Sequence, residues 1–408
     1  MSAGGVRGQT TVGDDFLIVP HTFALATSTG TQTVTATALG TKIPKGVHLK
    51  VVGATAAGTA AAGALLSEGA ADGQAQWVHC RFAEDNVAVA NSWRRYSTAR
   101  VAMTIDAAGA KTGEASFVKF VAGGMELNVS DAFPAAYLAE AVFYAGDGCQ
   151  FWAGTISGIG AMGETRTVQT GIDQDAVYVC SSWAAVEDVA EPHADISRGW
   201  AVRDSTQYHL RNRDADAADP TALVSRLQPR VASSADGVPG YCSIEAGGFT
   251  AGSFTLKAYA SGMNRTLSMF AFRAGGHGVF LGMVALPTSG ALEVALPFEA
   301  QTVQAITGSY GVTADPQGQL GGADAEAIGW HTTSVHGPLS FSGGIASADG
   351  VTPTNTHSLG ATGFRQVSDS GGDLWNGTAA LDADSFNVTW TAAPGSAYRM
   401  ILLAVEVG

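Results

Sequence analysis

One pattern occurs three times along this 408-residue chain. In each occurrence an alternating strand leads through a turn to a more apolar strand that ends on glycine. Gly123-Gly124-Met125-Glu126-Leu127-Asn128-Val129 precedes Tyr137-Leu138-Ala139-Glu140-Ala141-Val142-Phe143-Tyr144-Ala145-Gly146. Ser253-Phe254-Thr255-Leu256-Lys257-Ala258-Tyr259 precedes Leu267-Ser268-Met269-Phe270-Ala271-Phe272-Arg273-Ala274-Gly275. Phe386-Asn387-Val388-Thr389-Trp390 precedes Met400-Ile401-Leu402-Leu403-Ala404-Val405-Glu406-Val407-Gly408. The closing glycines recur at roughly 130 residues, far above the 20–50 of solenoid repeats. A repeat of that size is large enough to be a domain with its own core.

The other strand signals follow the same order in each copy. Phe16-Leu17-Ile18-Val19, Phe151-Trp152-Ala153 and Phe280-Leu281-Gly282 open the repeats. β-Branched runs follow at residues 47–52, 176–180 and 303–307, then strands around His79, His209 and His331. Period-two alternation, as in residues 101–105 and 117–121, specifies strands. Asp236-Gly237, Asp349-Gly350 and Asn376-Gly377 are turn signals between them. Residues 54–68 are the best helical candidate but contain Gly58 and Gly63 without amphipathic spacing, so they read as a loop or strand pair. The expected architecture is all-β: a polar N-terminal arm over 1–13, then three tandem antiparallel β-sandwich domains of jelly-roll type over 14–146, 147–275 and 276–408. Phe386, Val388 and Trp390 are expected on the buried face of the last strand pair, opposite Asn387 and Thr389.

Charge and hydropathy exclude several functions. Charged residues make up 14% of the chain, against roughly 25% in an average soluble protein. A surface short of charge suits a subunit packed among neutral neighbours. The net charge of −14 is spread along the chain, with no basic cluster for phosphate backbones or anionic membranes. Neither nucleic acid nor membrane is an expected partner. No run reaches 18 apolar residues. The first 15 residues have no hydrophobic centre and do not read as a signal peptide.

Motif chemistry is sparse. There is no GxSxG elbow, phosphate-cradling glycine loop or HExxH. The four cysteines, Cys80, Cys149, Cys180 and Cys242, form no CxxC and read as small buried hydrophobes. Asp214, Asp216 and Asp219 cluster in a turn and are calcium candidates, since calcium takes carboxylate oxygens from such loops. Solvated turn chemistry is the commoner reason for such a cluster, since Asp favours turns on its own account. Trp93 and Trp375 lie in turn-like contexts and are the candidates for exposed, ligand-stacking aromatics. No catalytic residue, resident metal or cofactor is assigned, and the chain reads as a non-enzyme.

The segment Phe386-Asn387-Val388-Thr389-Trp390-Thr391-Ala392-Ala393-Pro394-Gly395-Ser396-Ala397-Tyr398-Arg399, followed by Leu402-Leu403-Ala404, resembles the closing hairpin of a tandem domain of tailed-bacteriophage virion proteins. Residues 23–35 are similar to the usual opening of that domain. The pattern departs at Glu126-Leu127-Asn128-Val129-Ser130, which lacks the aromatic, and at Thr250-Ala251-Gly252. The resemblance implies a virion structural component, made in the bacterial cytoplasm and carried on the outside of tail or capsid. Its implied partners are other virion proteins and copies of itself. A carbohydrate-binding adhesin that meets a host-surface glycan is the alternative. A polysaccharide-degrading enzyme would need a carboxylate pair across a cleft, which no motif marks.

Overall fold

Alternating and fully apolar segments both become strands, and the difference between them is the key to the architecture. The computed structural model describes residues 15–407 except 215–221, 229, 234–240, 260–264, 309–325, 337–339, 348–353, 355, 369 and 396–397. The arm 1–13, Asp216 and Asp219 lie outside the described residues. Among the described residues the chain is all-β, apart from one 3-10 turn at Thr37–Leu39.

The first set of strands is β1 (Leu17–Ala24), β2 (Gly30–Thr35), β3 (Gly46–Val52), β4 (Ala61–Ala62), β5 (Leu66–Ala71), β6 (Gln76–Ala83), β7 (Ser92–Ser97), β8 (Ala102–Ile105), β9 (Lys111–Val121), β10 (Gly124–Asp131) and β11 (Leu138–Ala145). The second is β12 (Cys149–Ile156), β13 (Thr165–Gln169), β14 (Ala176–Ser181), β15 (Glu191–Pro192), β16 (Ala194–Val202), β17 (Gln207–Asp214), β18 (Ala222–Gln228), β19 (Ala232–Ser233), β20 (Tyr241–Thr250), β21 (Ser253–Ala258) and β22 (Leu267–Ala274). The third is β23 (Val279–Ala285), β24 (Ala291–Ala295), β25 (Ala300–Gly308), β26 (Glu326–Ser334), β27 (Ser340–Ser347), β28 (Thr356–Thr362), β29 (Phe364–Val367), β30 (Asp373–Asp382), β31 (Ser385–Ala392) and β32 (Arg399–Glu406). The helical candidate at 54–68 is loop, β4 and the start of β5.

Each set makes one large and one small antiparallel sheet. The large sheet of the first set has the order β1-β11-β3-β5-β6-β7, and the small one β2-β10-β9-β8. The same orders recur as β12-β22-β14-β16-β17-β18 with β13-β21-β20-β19, and as β23-β32-β25-β26-β27-β28 with β24-β31-β30-β29. We call each pair a unit. Two short strands cross between units: β15 of the second pairs with β7 of the first, and β4 of the first pairs with β28 of the third.

Within each unit the two sheets face each other over an apolar layer, in the manner of a β-sandwich. Val47, Leu49 and Phe143 meet Met125 and Leu127 in the first. Val177, Val179 and Met269 meet Phe254 and Leu256 in the second. Val303, Ala305 and Leu402 meet Trp375, Phe386 and Val388 in the third. In β31, Phe386 and Val388 are buried and Thr389 is exposed, as alternation requires, whereas Trp390, expected to be buried with them, is half-buried, as is Asn387. Small-sheet strands keep one wet face: Leu292 and Val294 of β24 are buried between exposed neighbours.

The large sheets do not. Every residue of β3, β5, β14, β16 and β25 is buried. Antiparallel sheets commonly leave one face in water. Here that second face packs against the other units, in a fourth cluster that draws on all three. It contains Ile18, Trp77, Val142 and Tyr144 of the first, Tyr178, Trp200, Phe270 and Phe272 of the second, and Leu281, Trp330, Ile401 and Leu403 of the third. A large aromatic buries 150–250 Å², and at about 25 cal/mol per Å² each contributes roughly 4–6 kcal/mol of transfer free energy. Separating the units would expose many such rings at once.

The contacts close a ring. β1 of the first unit lies against β25 and β26 of the third, β12 of the second against β3, β5 and β6 of the first, and β23 of the third against β16 of the second. The crossings from unit to unit gather at one pole. Gly148 donates its N–H to the Asp15 carbonyl at 3.3 Å. The Phe16 ring stacks on His277, centroids 6.1 Å apart. The buried Gln301 amide donates to both the Phe16 carbonyl (3.3 Å) and the Glu406 carbonyl (2.8 Å), and accepts from Ile18 N–H (2.9 Å). Gly146, one of the recurring closing glycines, has φ +102°, and a Cβ there would lie 1.8 Å from the Asp15 carbonyl oxygen. Only glycine fits this approach.

Candidate functional site

The densest chemistry lies where the large sheets meet. One rung runs across each large sheet, fixed by the cross-strand register. In the first unit it reads Glu140, Lys50, Glu68, His79. In the second it reads Ser268, Cys180, Arg198, Leu210. In the third it reads Ile401, Ile306, Trp330, Gly343. Equivalent backbone positions thus carry acid, base and aromatic in turn.

These side chains bind one another across the junctions. Glu68 accepts from His48 Nε2 at 2.8 Å and from the Tyr178 hydroxyl of the second unit. Its other oxygen lies 3.7 Å from Arg198 Nη1, an ion pair rather than a hydrogen bond. Arg198 Nη2 continues to the Gly329 carbonyl of the third unit at 3.3 Å. Lys50 reaches Glu140 at 3.3 Å and sits 5.7 Å from the centre of the Trp330 ring. Thr332 Oγ1 donates to Glu140 at 3.1 Å, and Gln304 Nε2 donates to the Tyr144 hydroxyl at 3.0 Å. Two carboxylates and two cations therefore offset each other in a site that water barely reaches. Buried charges persist only when paired in this way.

Burial would raise the Glu68 carboxyl, but Arg198, together with the hydrogen bonds from His48 and Tyr178, outweighs it and holds the group down at about 2. Burial lowers His48 to about 4, although Glu68 pulls the other way. Burial also takes His79 to about 3. His79 Nδ1 accepts the Ser182 N–H at 3.0 Å, so the ring proton sits on Nε2, which lies 2.7 Å from the Ser268 hydroxyl. Both histidines are neutral near pH 7 and face the second unit. A further ionic seam joins Arg94 of the first unit to Asp195 and Glu191 of the second, each at 3.4 Å, while Arg211 Nε donates to Asp195 at 2.9 Å.

This arrangement holds surfaces together and offers no open face to a small substrate at these residues. No protein-family model matches the chain, and no curated protein matches it. The reading of its chemistry therefore rests on its own residues.

The sequence candidates fall elsewhere. Trp375 is fully buried in the third unit, its ring 4.9 Å from that of Tyr398, which overturns its reading as an exposed aromatic. Its turn-like surroundings hid a place on β30 whose inward side faces the sandwich core. Trp93 is half-buried, packs beside Met103 and Ile105, and donates Nε1–H to Asn91 at 2.7 Å. Of the calcium candidates, Asp214 ends β17, while Asp216 and Asp219 lie outside the described residues. Among the described residues, no three His, Cys, Asp or Glu side chains gather as a metal site. No described helix is long and apolar enough to cross a membrane. All four cysteines are buried as free thiols, and burial pushes Cys80, Cys149 and Cys242 up to about 12. Sequence reasoning missed Glu68, Arg198, Lys50 and Glu140. Their one signal was a charge inside an otherwise apolar strand.

Proposed function

We propose that this chain is a non-enzymatic structural protein of a tailed-phage virion, on the exterior of tail or capsid. In this reading 14–146, 147–275 and 276–408 are three tandem β-sandwich domains of jelly-roll type, behind the arm 1–13. They act by assembly with other virion proteins and further copies of the chain. The observation that carries the reading is the use of the buried charges. Glu68 pairs with Arg198 between units, and the Lys50–Glu140 pair inside the first unit meets Trp330 and Thr332 of the third, so the chain's distinctive chemistry serves cohesion. The phage-like hairpin at residues 386–404 supplies the setting. The adhesin alternative keeps only Trp93 of its two aromatic candidates, since Trp375 is enclosed.

Mass spectrometry of density-purified particles from an infected culture tests the proposal. The chain should appear at a fixed number of copies per particle and be labelled by antibody on intact particles. Its confinement to the unassembled lysate fraction would refute the reading.

A further inference from the structure

We infer that the second unit carries a binding site for an acidic saccharide, a sugar bearing a carboxylate, at Arg230, Tyr241 and Tyr259 on the outer face of its small sheet. The inference stands apart from the virion reading and concerns the chain wherever it is carried.

The first unit shows what an arginine at this place does when its anion is part of the chain. Arg100 and Arg230 are equivalent, since each precedes a valine that bonds to the neighbouring strand: Val101 N–H to the Ala115 carbonyl at 2.9 Å, Val231 N–H to the Cys242 carbonyl at 3.0 Å. β8 and β19 then pair in one register, with Ala102 opposite Ala115 and Ala232 opposite Cys242. Glu114 and Tyr241 are therefore equivalent, each directly before that partner. Ser130 and Tyr259 are equivalent too, each directly after the residue paired with it, Val129 or Ala258. Arg100 Nη2 donates to Glu114 at 2.8 Å. Ser130 and Lys111 donate to the same carboxylate at 2.9 and 2.8 Å.

The second unit keeps the arginine and replaces the acid. Tyrosines stand where the first unit has Glu114 and Ser130. Their rings lie 6.2 Å apart and 15° from parallel, and Arg230 Cζ sits 4.3 and 4.5 Å from the two ring centres. Nη1 donates to the Ser243 hydroxyl at 3.2 Å, and Nε is buried with no partner. Among the described residues no carboxylate pairs with Arg230. Glu245, on the same face of β20, is bonded to Lys257 instead, at 2.8 Å. A guanidinium laid over aromatic rings keeps its N–H groups in its own plane, so the stacking orients the cation and leaves its donors free. Arg230, Tyr241 and Tyr259 are each half-buried, held against one another yet open to solvent.

The class of ligand follows from these groups. Nη2, the nitrogen that Arg100 gives to Glu114, takes a carboxylate from outside in a charge-assisted hydrogen bond. The tyrosines offer an apolar surface to the C–H side of a sugar ring, and their hydroxyls serve its hydroxyl groups. A neutral sugar leaves the cation unused, and a small inorganic anion leaves the rings unused.

Saturation-transfer NMR on the full chain tests the site. The probes are glucuronate and N-acetylneuraminate, two carboxylate sugars of different shape, at millimolar concentration. Glucose has the ring of glucuronate without its carboxylate, and N-acetyltyrosine is a peptide-like carboxylate. At least one acidic sugar should bind, and glucose and N-acetyltyrosine should bind more weakly. Arg230→Gln should weaken binding of that sugar by roughly ten- to a hundredfold, as loss of a hydrogen bond to a charged group implies. Tyr241→Glu restores the acid that the first unit carries, and should abolish binding with an unchanged thermal transition. Failure of both acidic sugars to bind the parent chain overturns the inference, as does equal binding of glucose. Tighter binding of N-acetyltyrosine overturns it in favour of a peptide ligand. Undiminished binding by folded Arg230→Gln or Tyr241→Glu overturns it for these residues.

Discussion

At the scale of single residues, the junction is held by charges that depend on one another. Arg198→Met should cost on the order of 3–5 kcal/mol, because Glu68 is left buried without its cation. Adding Glu68→Leu should restore most of that loss, since a well-packed apolar pair replaces a buried ion pair with little or no penalty. Urea unfolding of both variants measures the difference, and equal instability of single and double variants would contradict the pairing. The histidines set an acid limit. His48 and His79 have folded pKa values of about 4 and 3, below the ordinary 6.5. The unfolded chain therefore binds more protons than the folded one across that window. Their contribution is fully present above pH 6.5 and is lost as pH falls toward the folded values, each by up to about 1.4 kcal/mol per pH unit. His331, taken to about 3 by burial, acts in the same sense. The lowered Glu68 carboxyl adds a loss below 4.5. Denaturation midpoints should fall steeply between pH 6 and 4, and a flat profile there would show that these rings are not buried neutral. None of this was legible along the chain. Glu68 and Arg198 are 130 positions apart, and a lone charge in an apolar strand does not name its partner.

At the scale of elements, the strands themselves were readable. Alternation marks the small sheets, where Leu292 and Val294 point inward between exposed neighbours. The more apolar closing strands are β11, β22 and β32, each paired on both sides within its large sheet. Their lack of alternation, visible in residues 138–145 and 400–405, records burial on both faces. Trp375 was misread because Asp373 and Asn376-Gly377 imitate a turn, whereas β30 continues through them as a strand, with register shifts on either side of Trp375. A different constraint lies at Gly69 and Gly199, equivalent positions on β5 and β16. A Cβ at either would come 2.2 Å from a carbonyl oxygen, of Val101 in one unit and Val231 in the other. The small sheet begins there by crossing close over the large one. Gly199→Ala should cost on the order of 1–3 kcal/mol through overpacking, and Gly69→Ala a similar amount. A thermal melt in which both variants match the parent would mean that the strands can separate freely at this crossing.

At the scale of the whole molecule, the repeat and its length were legible in the glycines at 146, 275 and 408, but the closed ring was not. Sequence spacing says that three like units follow one another. It does not say that the third returns to the first. That return is made by Gln301, which holds the carbonyls of Phe16 and Glu406 on one amide. A circular permutant that begins at residue 147 and joins 407 to 15 through a short flexible linker should therefore fold to the same ring. Its melting temperature should lie within a few degrees of the parent, because no seam is cut and the new linker spans neighbouring points. A drop of tens of degrees by calorimetry would mean that the native chain order is itself required.

The doubly buried large sheets also bear on how the protein is made. Ile18, Trp77, Val142 and Tyr144 are complete when the ribosome has passed Ala145, yet their cover includes Leu403 and Val405 near the far end of the chain. At 5–20 residues per second, some 260 further residues take roughly 10–50 s to emerge. For that interval a folded first unit presents an aromatic face to solvent, and neighbouring nascent chains on one message carry the same face. Successful synthesis thus becomes a race between finishing a polypeptide and sticking to the next one, and chaperones that shield nascent hydrophobic surface should decide the yield.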